Sequence, residues 1–354
     1  MASSQNKNKS DGKILIQADI SGEILLCPEG LSFWGGVDPE TGTIIDIHHP
    51  CYKQNISGKI LMMPSSRGSC SGSGVLLELC LKNIAPAAII FQEAEEILSL
   101  GALVAERIFK KPIPIIKLKK QHYLILSKSS WATIYGNILQ TDSFNFELTV
   151  IKTEHLYLSK YDKDILVGKY GNAAKTAMEI ICLMAAANDT NTLIDIHKGH
   201  IDGCILAHSA NLIFAEKLAA LGAQVRIPTT INAISVDREN WLSQMIPEDF
   251  GNKASKLADA YVKMGAKPVF TCSPYLLEEK PKFGENIGWS ESNAVIFANS
   301  ILGARTLKHP DYLDLFIAMT GRAPKSGVYI DEGRIPETII NAGIAVASIE
   351  TAKP

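Results

Sequence analysis

A short segment of small and polar residues places one serine where its hydroxyl could be activated. Residues 63–74 contain Arg67 and Ser69 and lie between two apolar runs, 59–62 and 75–79. The first run predicts a buried strand and the second a helix, and such a connection directs backbone N–H groups towards one point. Those N–H groups and the Arg67 guanidinium would stabilise a serine alkoxide, so Ser69 is a candidate catalytic residue. A flexible turn before a helix is the alternative interpretation.

Three other polar segments each follow a predicted strand, namely residues 197–208, 228–235 and 271–275. The carboxyl ends of parallel strands form the ligand-binding edge of an open α/β sheet, so we expect these segments to line one cleft. His197 and His200 have side chains suited to zinc or iron, and a Cys272 thiolate could ligate iron. Hydrogen-bonded loop histidines and a small core cysteine are the alternatives.

A fourth polar segment, residues 288–300, leads into an apolar helix. Glu291 and Ser292 stand at this transition, where a carboxylate beside a pocket can act as a general acid or base. A helix N-terminus with ordinary acidic and serine capping residues is the alternative interpretation.

The elements that must position these residues alternate between strands and helices. The first half of the chain has predicted strands at 13–18, 23–27, 59–63, 85–91 and 114–118, and predicted helices at 74–81 and 93–110. The second half has predicted helices at 172–187, 209–221 and 247–264, and predicted strands at 193–196, 224–227 and 268–271. This alternation predicts an α/β fold with a mainly parallel sheet. We expect a first domain at 1–125, a linker with some strand at 126–160 and a second domain at 161–354.

The composition limits the classes of protein and of partner. The chain has 354 residues, of which 46% are hydrophobic and 20% charged, as expected for a globular protein of two domains. Its net charge of −2 argues against a nucleic-acid partner. We expect no membrane association, because no apolar run approaches the roughly 20 residues of a membrane helix. Seven scattered cysteines and a polar start without a secretory pattern favour reduced thiols and a cytoplasmic location.

Taken together, these segments resemble the aconitase X family over nearly the whole chain. The swivel domain of that family is similar to residues 31–42, 64–73 and 85–88. Its catalytic domain is similar to residues 168–171, 200–203, 225–232, 271–275 and 289–305. The resemblance implies an α/β protein in which a small swivel β/α domain precedes part of an aconitase-like α/β catalytic domain.

This resemblance implies a hydro-lyase that removes water from a small hydroxy acid. It assigns the role of base to Ser69, and it makes Cys272 the first cysteine ligand of an iron or iron–sulfur centre that acts as a Lewis acid. The residues expected to contact the substrate are Arg67, Gly203, Cys204, Asn232, Glu291 and Ser292. Because the base and the metal belong to different domains, domain closure would assemble the site.

The family includes a two-subunit archaeal form that dehydrates 5-phosphomevalonate and a single-chain form that dehydrates cis-3-hydroxy-L-proline. The fusion of both segments in this chain favours cis-3-hydroxy-L-proline, with 5-phosphomevalonate as the alternative. In the family the catalytic domain continues beyond residue 354 and carries two later cysteine ligands, whereas no cysteine follows Cys272 here. We therefore expect either a complementing chain or a truncated chain that binds a ligand or a subunit without catalysis.

Overall fold

The computed structural model describes residues 10–336 and Thr338, which form two units in contact with each other. Within residues 10–150, eight strands form a closed barrel. The elements of this first unit are β1 (Gly12–Ile16), β2 (Ile20–Leu26), β3 (Ile60–Met63), α1 (Gly72–Leu81), β4 (Ala88–Phe91), α2 (Ile97–Phe109), β5 (Ile115–Leu118), α3 (Lys120–Leu126), β6 (Trp131–Tyr135), β7 (Ile138–Gln140) and β8 (Asn145–Val150). The strand order around the barrel is β1-β5-β4-β3-β2-β6-β7-β8.

Strands β2 to β5 run parallel, and the crossovers between β3, β4 and β5 contain α1 and α2. All four residues of β3 are buried, as expected for a parallel strand that is covered on both faces. Ile60 and Met62 belong to the core inside the barrel, whereas Leu61 and Met63 belong to the core beneath the helices. The alternation of side chains along the strand therefore supplies two separate cores.

The barrel extends beyond the predicted end of the first domain at residue 125. Residues 126–160, predicted to be a linker, contain β6, β7 and β8, which join β2 to β1 and so close the barrel. Ala132, Ile134 and Leu139 face the barrel core. These apolar residues alternate with exposed ones, and this period of two is the pattern of a strand rather than of a connection. The prediction of a linker over the whole of 126–160 is therefore corrected.

The second unit follows the barrel and packs helices against short strands. Its elements are α4 (Lys160–Leu166), α5 (Asn172–Ala187), β9 (Leu193–Asp195), β10 (Lys198–Ile201), α6 (Ser209–Ala220), β11 (Thr229–Ile231), α7 (Glu248–Lys263), β12 (Ile287–Trp289), α8 (Ser292–Phe297), α9 (Leu313–Thr320) and β13 (Arg322–Pro324). A parallel sheet has the order β11-β10-β12, and β13 pairs antiparallel with β9. One turn of π-helix, Ala298–Leu302, continues α8, and short 3₁₀ turns lie at Pro274–Leu276, Gly327–Tyr329 and Glu332–Arg334. In residues 10–336, no helix is both long and apolar enough to cross a bilayer.

Two predicted strands of the second unit are not strands. In the segment 224–227, Val225 N–H donates to the Met264 carbonyl and Arg226 N–H donates to the Ala318 carbonyl, so the backbone is bound to helix ends. The segment 268–271 runs beside β11, but Pro268 has no N–H to donate and Phe270 has a positive φ of 45°. Apolar residue types predicted these strands, and the backbone hydrogen bonds override that preference.

Residues 198–201, predicted to be part of a polar loop, form the central strand β10. Gly199 is required there, because a Cβ atom at this position would approach Thr229 Oγ1 to 2.9 Å. The helices are closer to the predictions. Helix α5 has the predicted bounds. Helix α6 begins at residue 209, as predicted, and His208 is its N-cap.

The two units share one hydrophobic core that includes residues of both α1 and α6. Two hydrogen bonds cross the boundary at this point: Ala210 N–H donates to Glu78 Oε2 at 2.6 Å, and Ser73 Oγ donates to the Asp311 carbonyl at 3.3 Å. The N-terminal end of α1 therefore rests directly on the second unit.

Candidate active site

Ser69 lies half-buried between β3 and α1, at the strand–loop–helix connection that the sequence predicts. Its Oγ accepts the N–H of Ser71 at 3.3 Å and lies 3.4 Å from Ser71 Oγ. Ser71 is the N-cap of α1, so the Ser69 oxygen lies at the positive end of a ten-residue helix. This environment favours negative charge on the oxygen.

Arg67 is held by an ion pair within the same unit. Its guanidinium donates to Asp46 Oδ2 at 2.9 Å, and Asp46 belongs to the long connection between β2 and β3. The backbone N–H of His48, followed by Arg67 itself, lowers the pKa of Asp46. The structure therefore gives Arg67 a partner that the sequence did not predict, and its contact with a substrate stays a prediction.

One thiol and two carboxylates meet where the Ser69 loop touches the second unit. Cys70 Sγ lies 3.6 Å from Asp202 Oδ2, and ligand atoms of Cys70, Asp202 and Asp311 lie within 4.8 Å of one another. We call these three residues the interface cluster. Cys70 Sγ is also 3.9 Å from Ser69 Oγ, so the cluster is adjacent to the candidate base.

The carboxyl groups around this point have raised pKa values. Burial, followed by repulsion from Asp311 and Glu291, raises the pKa of Asp202 to about 9. Burial also raises the pKa of Asp314 to about 7 and raises that of Asp311. Because like charges cannot all ionise in a buried site, at least one of these groups keeps its proton at neutral pH.

One oxygen of the interface cluster has an unused hydrogen-bonding capacity. Asp311 Oδ1 is fully buried and has no hydrogen-bond partner in the part of the chain that the structure describes. A buried acceptor without a partner costs about 1–3 kcal/mol, so such atoms in native proteins need an explanation. A bound cationic group would satisfy this oxygen and would also relieve the repulsion among the carboxyl groups.

Three of the residues predicted to contact the substrate lie around Asp202. Asn232 Nδ2 donates to Asp202 Oδ1 at 2.7 Å, and Asn232 Oδ1 accepts the Cys204 N–H at 3.1 Å. Gly203 is needed because a Cβ atom there would approach the Tyr261 hydroxyl to 2.6 Å. Asn232 and Cys204 are buried, so their observed contacts orient Asp202 at the end of β10.

Cys272 and Glu291 lie near Asp202 of the interface cluster. Cys272 is half-buried, and burial together with the charges of Glu291 and Asp202 raises the pKa of its thiol. Glu291 Oε2 is buried without a hydrogen-bond partner among the described residues. Ser292 begins α8 and is exposed.

His200 does not form a metal site with His197. It is buried in β10, where its Nδ1 lies 2.8 Å from Thr230 Oγ1, and burial lowers its pKa to about 4. Within residues 10–336, two groups of at least three potential ligands lie close together, and neither contains His197 or His200. His200 is thus a hydrogen-bonded histidine, as in the alternative given from the sequence, although it lies in a strand rather than a loop.

The donor set near Cys272 does not by itself fit an iron–sulfur cluster. Such clusters are held by several cysteine thiolates. Cys272 is absent from both groups of closely spaced ligands in the described part of the chain. The described residues therefore offer one candidate ligand for iron.

The sequence analysis missed two acidic residues of the site. Asp311 and Asp314 lie after the last motif that it used, and Asp202 was part of a motif without an assigned role. The spacing of Asp311 and Asp314, three residues apart at the start of an apolar helix, was the available signal.

Two family models match the chain over the two units just described. The Aconitase X swivel domain matches residues 9–141, and the Aconitase X first domain matches residues 155–332. The chain belongs to the aconitase X family. This membership confirms the resemblance and the α/β fold that the sequence predicts.

The chain is 47% identical over 335 residues to a cis-3-hydroxy-L-proline dehydratase from Pseudomonas aeruginosa, with 93% of this chain and 58% of that protein covered. It is 45% identical over 334 residues to the Hypocrea jecorina protein of the same name, with coverages of 91% and 56%. The phosphomevalonate dehydratase large subunit of Thermococcus kodakarensis is 35% identical over 188 residues, with coverages of 52% and 46%. The chain thus spans a little more than half the length of the curated relatives that match most of it.

Proposed function

We propose that this chain provides the serine-containing part of a hydro-lyase site and that the substrate is cis-3-hydroxy-L-proline. The observation that carries the proposal is the meeting of Ser69, at the helix N-terminus of one unit, with the buried acids Asp202 and Asp311 of the other. A dehydration requires a base that removes a proton and an acid that protonates the departing hydroxyl. The two contacting units supply one group each. The similarity to two proteins named cis-3-hydroxy-L-proline dehydratase supports the choice of substrate.

The reaction breaks the C2–H and C3–O bonds of the substrate and forms a double bond between C2 and C3. The resulting cyclic enamine becomes a cyclic imine when the ring nitrogen loses its proton and C3 gains one. Ser69 Oγ takes the C2 proton, and the Ser71 N–H and the α1 dipole stabilise the oxygen in its charged form. Asp202 keeps its proton at neutral pH because its pKa is about 9, and it donates that proton to the departing hydroxyl, which leaves as water. Transfer of the serine proton back to Asp202 restores both groups.

The charge of the interface cluster favours an amino acid over a phosphorylated substrate. The ring nitrogen of cis-3-hydroxy-L-proline is a secondary ammonium, and Asp311 Oδ1 is a buried acceptor without a partner in the described chain. An ammonium beside Asp311 would lower the raised pKa of this carboxyl and offset its desolvation. A phosphate group would lie among acidic side chains that include Asp311 and Glu291, and their ionised forms would repel it.

Iron is the cofactor that the family membership favours. Cys272 would contribute one ligand, and a bound iron would act as a Lewis acid on a substrate oxygen. The remaining ligands would come from outside the described residues or from a complementing chain. The scattered free cysteines favour a cytoplasmic location.

Assays of turnover and of binding test which compound is the substrate. The purified chain, reconstituted with iron and sulfide, is incubated with cis-3-hydroxy-L-proline, and the cyclic imine product is measured by NMR. Titration calorimetry compares cis-3-hydroxy-L-proline with 5-phosphomevalonate. We expect binding of the amino acid and no binding of the phosphate ester, with turnover where the remaining iron ligands are supplied. Preferential binding of 5-phosphomevalonate, or binding of neither compound, would contradict the proposed substrate.

Metal analysis tests the role of Cys272. We expect Cys272→Ser to lower the iron content of the reconstituted chain to background. Cys182→Ser, which changes a buried cysteine of α5, is the matched control and should leave the iron content unchanged. Equal iron in both variants would exclude Cys272 as a ligand.

A further inference from the structure

Three buried side chains of the barrel unit form a second group of potential metal ligands, far along the chain from Cys272. Cys27 follows the last residue of β2, and His49 and Cys51 lie in the connection between β2 and β3. One ligand atom from each residue lies within 4.8 Å of the other two. The exposed fractions of Cys27, His49 and Cys51 are 0%, 2% and 5%. Cysteine sulfurs and histidine nitrogens are the usual ligands of structural zinc, and this group supplies three of the four that such a site needs.

The hydrogen bonds of His49 fix its tautomer, and a metal ion at Nδ1 would replace the hydrogen bond that this atom accepts from the Cys51 N–H. Its Nε2 lies 3.4 Å from the Glu29 carbonyl oxygen, to which an Nε2–H group donates. In that tautomer Nδ1 carries no proton, consistent with its acceptance of the Cys51 N–H at 3.1 Å. A metal-bound histidine commonly donates its other ring N–H to a backbone carbonyl, and the contact with Glu29 has this pattern.

Charge balance points to a divalent cation. Two thiolates buried side by side without a cation are strongly disfavoured. Zinc with two thiolates and a neutral imidazole has no net charge and would remove this penalty. The Leu26 carbonyl oxygen lies 3.5 Å from Cys51 Sγ and is a further atom that could bind a metal ion.

We propose that Cys27, His49 and Cys51 bind one structural zinc ion that fastens the connection between β2 and β3 to the barrel. Residues 27–59 contain turns and isolated bridges but no helix or strand. Backbone hydrogen bonds and buried side chains such as Leu31, Phe33 and Ile44 already order this connection, and a metal ion would add a further constraint on it.

The same connection reaches the candidate active site. Asp46 holds Arg67, and Ser32 packs so closely on Gly68 that a Cβ atom there would lie 2.3 Å from Ser32 Oγ. The Trp34 ring lies edge-on to His208 of the second unit, with 5.5 Å between ring centroids. The zinc ion would therefore hold the residues that surround the Ser69 loop, although it would not touch the substrate.

Metal analysis of the full chain tests this site. The protein is expressed with added zinc, purified under reducing conditions without chelator, and analysed by mass spectrometry for zinc and iron separately. We expect about one zinc per chain in the unaltered protein, and about one-tenth or less in Cys27→Ser and in His49→Gln. Cys182→Ser and Cys272→Ser are the controls and should keep the zinc. This pattern is independent of dehydratase activity, so it tests the zinc site even if the proposed function fails.

A measurement on the unaltered protein tests the zinc site even if the substituted variants fail to fold. Removal of zinc with dipicolinate should lower the melting temperature by several degrees, and readdition of zinc should restore it. Peptide mapping after alkylation of the metal-free protein should find Cys27 and Cys51 as free thiols. Less than about one-tenth zinc per chain, a disulfide between these two cysteines, or zinc that survives both substitutions would overturn the proposal.

Discussion

The protein has two groups of closely spaced ligand atoms, and they differ in how they are assembled. Cys27, His49 and Cys51 all belong to the barrel unit and lie within 25 positions of one another in the chain. The interface cluster joins Cys70 of the barrel unit to Asp202 and Asp311, which come from two separated parts of the second unit. The first group forms when one unit folds, whereas the second exists only when the two units dock.

This difference separates a group suited to holding structure from one suited to catalysis. The barrel group is enclosed and could be neutralised by a single cation, so it is suited to holding a loop in place. The interface cluster keeps raised pKa values and an unsatisfied oxygen, both of which a substrate can change. A site of this kind can open when the units separate and can exclude water when they close.

The largest expected effect of a substitution is on turnover, and it concerns Ser69 beside the interface cluster. Ser69→Ala should lower turnover of cis-3-hydroxy-L-proline by about 10²–10⁴-fold, the usual contribution of a positioned general base. Zinc content and melting temperature should stay unchanged. Ser65→Ala, in the same loop, is the control and should retain activity. Turnover within a few-fold of the unaltered chain would remove Ser69 from the mechanism.

Asp311→Asn should weaken substrate binding by about 10–100-fold, because it replaces a charged partner of the ammonium with a neutral one. Titration calorimetry measures the change. The folded chain should be as stable as before or more so, since one member of a repelling set of acids is removed. The exposed Asp142→Asn is the control. Unchanged affinity would show that the ammonium binds elsewhere.

The raised pKa of Asp202 makes stability depend on pH. An aspartate in the unfolded chain loses its proton near pH 4, whereas Asp202 in the folded chain keeps it up to about pH 9. The folded state therefore binds more protons in this window, and the free energy of unfolding falls as the pH rises from 4 to 9. Asp202→Asn should flatten that slope in thermal unfolding measured across the window. A slope that is identical in both proteins would contradict the assignment.

The smallest expected effect concerns the ion pair that links the connection between β2 and β3 to the Ser69 loop. Asp46→Asn removes a partly exposed pair with Arg67, and such pairs contribute about 0–1 kcal/mol. We expect a small decrease in melting temperature and at most a few-fold change in turnover. Lys13→Gln, which breaks the ion pair with Asp189, is the matched control. A loss of activity as large as that of Ser69→Ala would instead place Arg67 at the substrate.

Local patterns in the sequence predicted the parts of the fold that depend on neighbouring residues. The strand, loop and helix around Ser69 are found where the apolar runs and small residues indicated, and α5 has the predicted bounds. Both β3 and α1 are buried almost throughout, and the apolar runs beside small and polar residues were enough to indicate them. The segments 224–227 and 268–271 had suitable residue types, but the first bonds to helix carbonyls, and Pro268 and the positive φ of Phe270 interrupt the second beside β11.

The residue types near Ser69, Cys272 and Glu291 were sufficient to suggest a dehydratase of the aconitase X family. The tertiary structure alone decided which groups meet. It placed Cys70 against Asp202 and Asp311, paired Arg67 with Asp46, and gathered Cys27, His49 and Cys51 beneath one loop. A residue's type is a local property, whereas its pKa and its partners depend on which distant parts of the chain are buried together.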